Sequence, residues 1–165
     1  MGVDAIFFLS RIELLDKFFG NSSFHQLIVS DIEMGALEPL IKKGYLDKKK
    51  ITRFVKRGII VSLSGKSKLS PSSKNITPEQ IIQKISTTFH KNNNDFVMVE
   101  DDVIRNGLKK KRIKVLTVPD VIFFLVERKD ITKTEAVEAL EWCKLFQWYD
   151  NKVINFIIKE VSRLG

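Results

Sequence analysis

Short apolar runs alternate with amphipathic stretches along most of this chain, and that alternation constrains the fold more than any single motif. Residues 3–9, 25–30, 58–63, 95–99 and 113–116 each form a compact apolar run bounded by polar or charged residues, the pattern of buried strands. Between them the apolar residues recur three or four apart. Ile12, Leu14, Leu15, Phe18 and Phe19 mark a helix over 11–19. A second helix is expected over 31–43, with Ser30 or Asp31 as its N-cap and Gly44 just past its end. A short basic helix covers 49–57. Thr77-Pro78-Glu79-Gln80 opens another, since Thr caps, Pro suits the first position and acids suit the N-terminal dipole. It runs to about His90 on Ile81, Ile82, Ile85 and Phe89, and a further helix spans 101–111. After Pro119 the pattern is helical, near 119–128, 132–146 and 150–163. The Ser-, Lys- and Gly-rich stretch 64–75 reads as a surface loop.

Strand and helix in alternation predict a single α/β domain over 1–165. It would be a three-layer α/β/α arrangement around a mostly parallel sheet of about five strands. Ligands of such sheets sit outside the carboxyl ends of the strands. The chain's 19.0 kDa suffices for one core. No apolar run approaches the roughly 20 residues of a membrane span. Residues 1–10 lack the basic lead and small-residue cleavage site of a signal peptide. Cys143 is the only cysteine, so no internal disulfide is available. A cytoplasmic protein with no membrane partner is the expectation.

The net charge is +8, and it is concentrated. Residues 42–74 hold eleven Lys or Arg against one acid, Asp47, and residues 105–114 hold six with no acid. Such stretches attract phosphate, which points to nucleic acid, although lysines also serve simply to solvate a surface.

Several chemistries lack their parts. The two histidines, His25 and His90, come with no Gly-x-Ser-x-Gly turn. Neither a phosphate-cradling glycine loop nor a zinc-spaced Cys/His cluster is present. Cys143 falls on the apolar stripe of its helix and reads as a buried thiol. Carboxylates at the expected strand ends remain: Asp4 in the first strand, Glu33 and Glu38 after the second, Glu79 at a helix start, and Glu100, Asp101 and Asp102 after the fourth. Acids converging at a sheet edge bind hard divalent cations, which activate water for phosphoryl displacement.

Residues 96–105, Phe-Val-Met-Val-Glu-Asp-Asp-Val-Ile-Arg, lead into the basic 109–116. This segment resembles the PIN-domain family, in particular the archaeal and bacterial group related to type II toxin–antitoxin toxins. Glu100 and Asp101 match the family's paired acids and Arg105 its arginine. Residues 119–126, 131–140 and Trp148-Tyr149 resemble its closing helices; Asp4-Ala5 and 11–20 resemble its opening. The resemblance spans nearly the whole chain. It implies a metal-dependent endoribonuclease using Mg²⁺ or Mn²⁺, with RNA as substrate, an antitoxin partner and a homodimer. The catalytic acids carried over are Asp4, Glu33, Glu79 and Asp101. The metal ligands carried over are Asp4, Glu79, Glu100 and Asp101. An ungapped match sets Ala36 where the family has its second Glu, with Glu33 one turn before it. Ile6 stands where the family has Ser or Thr. The alternative is a catalytically degenerate PIN-like module that binds RNA or a protein partner. Trp142, Phe146, Trp148 and Tyr149 offer either a dimer contact or packing among the terminal helices.

Overall fold

The computed structural model describes residues 3–20, 27–29, 31–57, 59–62, 77–88 and 96–165. Its helices are α1 (Val3–Arg11), α2 (Leu15–Gly20), α3 (Asp31–Lys42), α4 (Lys48–Lys56), α5 (Pro78–Thr88), α6 (Asp102–Lys110), α7 (Val118–Glu127), α8 (Lys133–Leu145) and α9 (Asn151–Arg163). Its strands are β1 (Leu27–Val29), β2 (Ile60–Ser62), β3 (Val97–Met98) and β4 (Val115–Leu116). The loop expected over 64–75, the candidate cap Ser30, and both histidines lie outside the described residues.

Among the described residues the expected five-stranded, three-layer α/β/α sheet does not form. Helix accounts for 69% of the described residues. The strands make two parallel pairs. β1 lies beside β2 with Leu27 opposite Ile60, and β3 beside β4 with Val97 opposite Val115. Pairs two or three residues long bury little, so helices supply most of the core. The segment 3–9, expected as the first strand, is α1. Ala5, Ile6 and Leu9 are fully buried and Ile12 nearly so. Those positions fall on one face of a 3.6-residue period. A seven-residue apolar run fits strand and helix equally, and only its extension to Ile12 separates them. Asp4 therefore sits in the first turn of a helix, not on a strand.

The helix expected over 11–19 is also interrupted. Glu13 adopts φ 59, the Leu14 amide donates to the Leu9 carbonyl at 2.9 Å, and the chain restarts as α2. The same helix-ending turn recurs at Gly44, Arg112, Lys129 and Gln147. Only Gly44 is the glycine that a left-handed residue favours.

The chain divides into two compact units. Unit 1 is Met1–Phe7 with Gln26–Leu116, and unit 2 is Phe8–His25 with Thr117–Gly165. In unit 1, Val97, Val99, Ile104, Leu108 and Ile113 form a cluster covered by Ile81, Ile82 and Ile85 of α5. Gly107 permits the close approach of α6 to α5, since a Cβ there would stand 2.3 Å from Ile82 Cδ1. In unit 2, Val121, Ile122, Leu125, Ala136, Leu140, Cys143, Ile154 and Val161 are buried along α7, α8 and α9. Among the described residues no helix is long and apolar enough to cross a membrane.

Candidate nucleic-acid interface

Helix α4 begins at Asp47, whose Oδ1 accepts the amides of Lys49 at 2.7 Å and Lys50 at 3.1 Å. Those backbone donors hold the Asp47 carboxyl below its ordinary range. Ile51 and Phe54 bury one face. Lys49, Arg53 and Lys56, spaced four and three apart, fall on the opposite face and are exposed, as are Lys48, Lys50 and Arg57. The Arg53 guanidinium stands over the Phe54 ring, 5.2 Å from its centroid. No acid occupies the first turn of α4; lysines stand there instead, against the positive end of the helix dipole. Each such placement costs roughly 0.3–1 kcal/mol. A phosphate bound at these lysines would reverse that penalty, because an anion there meets both the ammonium groups and the dipole.

Helix α6 carries its charge where it helps. Asp101 caps its N-terminus by accepting the Ile104 amide at 2.8 Å, and Lys109 and Lys110 close its last turn. Basic residues continue through the turn into β4: Lys111, Arg112 and Lys114 are exposed. Lys111 Nζ donates to Gln83 Oε1 at 3.2 Å, tying this turn to α5.

The charge is divided sharply between the units. Unit 1 holds 19 Lys or Arg against 10 Asp or Glu, a net of +9, while unit 2 holds 9 against 10, a net of −1. The chain's whole positive excess therefore lies on unit 1.

Of the carboxylates taken from the sequence as a metal site, several are engaged locally. Asp4 is exposed in the first turn of α1. Glu33 falls in α3, and its side chain, like that of Ala36, lies outside the described residues. Glu79 is exposed in the first turn of α5. Its own backbone amide and the Thr77 hydroxyl hold its carboxyl below the ordinary range. Thr77 and Gln80 make a reciprocal cap there: the Thr77 amide donates to Gln80 Oε1 at 3.1 Å and the Gln80 amide to Thr77 Oγ1 at 3.4 Å. Glu100 is half-buried just past β3. Asp101 caps α6 through Oδ1, and Asp102 pairs with Arg105, which also donates to the Glu100 carbonyl at 3.4 Å. The structure thus brings Glu100, Asp101 and Asp102 together only as sequence neighbours. Among the described residues no three His, Cys, Asp or Glu side chains gather to hold a metal ion. The described carboxylates of the set therefore do not converge on one another.

Sequence reading located the basic stretches but not Arg11 or Phe8 as partners of the C-terminal aromatics. Arg11 lies 5.8 Å from the Phe146 ring centroid, and Phe8 stacks on Trp148. No spacing signal links residues so far apart in the chain. Comparison with known proteins adds no relative: no family model, no curated protein and no solved structure matches the chain.

Proposed function

We propose that this chain binds RNA, holding the phosphate backbone on the basic helical faces of unit 1, and that it does so without cutting. The observation that carries this reading is α4. Its N-terminal lysines oppose the helix dipole and its exposed face is Lys49, Arg53 and Lys56, which serves an anionic partner better than it serves the helix. The choice of RNA over DNA rests on the PIN resemblance. A cytoplasmic setting accords with the single cysteine, which is buried. The antitoxin partner and the homodimer rest on the resemblance alone.

The test is fluorescence anisotropy with labelled RNA between about 50 and 200 mM salt, with DNA as competitor. Affinity should fall steeply with salt, and RNA should outcompete DNA. Salt-independent or absent binding contradicts the reading.

A metal-dependent PIN-type ribonuclease is the narrower reading. In its favour, Glu100, Asp101 and Asp102 follow the carboxyl end of β3, where open parallel sheets place their ligands. Against it, among the described residues Asp101 belongs to no group of three metal-ligating side chains, and its Oδ1 serves the Ile104 amide as a helix cap. RNA incubated with the purified protein and Mn²⁺ should stay full-length. Cleavage that disappears in Asp101→Asn would replace the binding reading with the nuclease.

A further inference from the structure

Unit 2 has no positive excess, yet it carries a row of stacked aromatic rings that opens to solvent at one end. Phe8 lies against Trp148 with centroids 4.0 Å apart and planes 11° apart. Trp148 lies against Phe146 at 4.9 Å and 25°, and Phe146 against Trp142 at 5.4 Å and 20°. Trp148 is thus covered on both sides and half-buried. Trp142, the last ring, is 46% exposed, and among the described residues Phe146 is its only ring neighbour. Phe146 is itself 38% exposed. Four rings stacked for core packing would be buried; here Phe8 and Trp148 are half-buried and the outer two are exposed.

A cation stands beside Phe146, the ring next to the open end. Arg11 is exposed, its guanidinium lies 5.8 Å from the Phe146 centroid, and among the described residues it forms no ion pair. It is therefore no more than about 11 Å from the Trp142 ring. That reach covers the phosphate of a nucleotide whose base sits on Trp142, or of the next one. Glu138, one turn before Trp142 on α8, is exposed and disfavours phosphate directly at that ring. An uncharged flat group suits that end, and an anion suits Arg11.

We propose that this row is a stacking platform for an unpaired nucleobase: the base extends the stack on the outer face of Trp142, and Arg11 meets the strand's phosphate. Every base has a π-face, so such a platform takes single-stranded nucleic acid with little regard to sequence. A duplex keeps its bases stacked on one another and offers no free face. This deepens the RNA reading of unit 1, on which it rests for the identity of the strand, by adding a preference for unpaired over paired RNA.

The test uses the full chain carrying Trp148→Phe, which keeps a ring in the row and leaves Trp142 as the only tryptophan. A mixed-sequence RNA of about 12 nucleotides, within single-strand footprints, is titrated alone and as a duplex, following both tryptophan emission and RNA anisotropy. The single strand should quench Trp142 and the duplex should not. In the otherwise wild-type chain, Trp142→Ala should weaken single-strand binding by roughly 5- to 150-fold and leave duplex binding unchanged. Trp142→Phe should recover most of the loss, which separates stacking from misfolding. Single-strand binding with Trp142 emission unmoved overturns the platform and leaves the unit 1 reading standing. Quenching that survives Lys49→Ala/Arg53→Ala/Lys56→Ala at unchanged affinity overturns unit 1 and leaves the platform standing. No RNA binding at low salt overturns both. Self-association in sedimentation that Trp142→Ala or Leu145→Ala abolishes makes a second copy the occupant, and that too overturns the platform.

Discussion

The first turns of α4 and α8 meet one need in opposite ways. Both helices must satisfy free amides and complement the positive end of a dipole. In unit 2, α8 does this in full: Thr132 and Glu135 cap one another, at 2.8 and 3.2 Å, and Glu135 also sets a negative charge at the positive end. In unit 1, α4 satisfies its amides through Asp47 and then places lysines where an acid would stabilise it. The same contrast runs through net charge, +9 on unit 1 and −1 on unit 2. The difference is one between α8 and α4 and not between all helix ends, since α9 of unit 2 also starts from an Asp cap with Lys152 in its first turn. What sets unit 1 apart is that its first-turn lysines come with a net positive charge whose benefit appears with an anion present.

The largest effects should come from the apolar core of unit 2. Leu125 is fully buried, and Leu125→Ala should lower stability by about 2–5 kcal/mol in denaturant titration. A loss under 1 kcal/mol would mean that α7 is not the structural centre of its unit. Next is the α8 cap: Thr132→Ala should cost about 0.5–2 kcal/mol of stability and leave the salt dependence of RNA binding as in wild type.

The contrast itself is sharpened by a charge reversal on each side. Lys49→Glu should raise thermal stability by about 0.3–1 kcal/mol and at the same time weaken RNA binding. Lys152→Glu, in the first turn of α9, should give a similar gain with the RNA salt slope unchanged. If both mutants change RNA binding equally, phosphate contacts are not confined to unit 1.

A smaller effect concerns acid. The Glu135 carboxyl is pulled from 4.5 to about 2, first by the Lys17 ammonium and then by the Thr132 amide and hydroxyl. A depressed carboxylate stabilises the fold fully above its unfolded value, and that contribution is lost as pH falls. Melting temperature should therefore decline between pH 4.5 and 2, and Glu135→Gln should remove part of that decline. A mutant whose acid profile matches wild type would mean the Lys17 pair is not maintained in solution.

Much of the fold was legible locally. The helices of 119–163 emerged within a residue or two of their expected bounds, because the apolar spacing is helical throughout and the structure caps the last two at Thr132 and Asp150, where that spacing begins. Gly44 signalled the end of α3 for the same kind of reason. Glu13 did not signal the end of α1, since a left-handed glutamate leaves no mark in sequence. Residues 3–9 misled because both periods fit a short apolar run, and that segment carried Asp4 with it. The sheet was misread for a second reason, since the remaining strands form two separate pairs and local pattern does not say which strands join. The acids illustrate the same limit. Asp101 and Glu79 stand at helix starts, where capping chemistry and metal chemistry ask for the same residue type. The basic stretches were visible at once, but which lysines share the outer face of α4 became clear only with Ile51 and Phe54 buried beneath them.

The central claim is that unit 1 holds phosphate through α4. It is tested most directly by the salt dependence of RNA affinity in wild type and in Lys49→Ala/Arg53→Ala/Lys56→Ala. Three lost phosphate contacts should flatten the slope of log affinity against log salt by about 2, given roughly 0.7 per contact on a single strand. An unchanged slope, with the variant folded, would contradict the account.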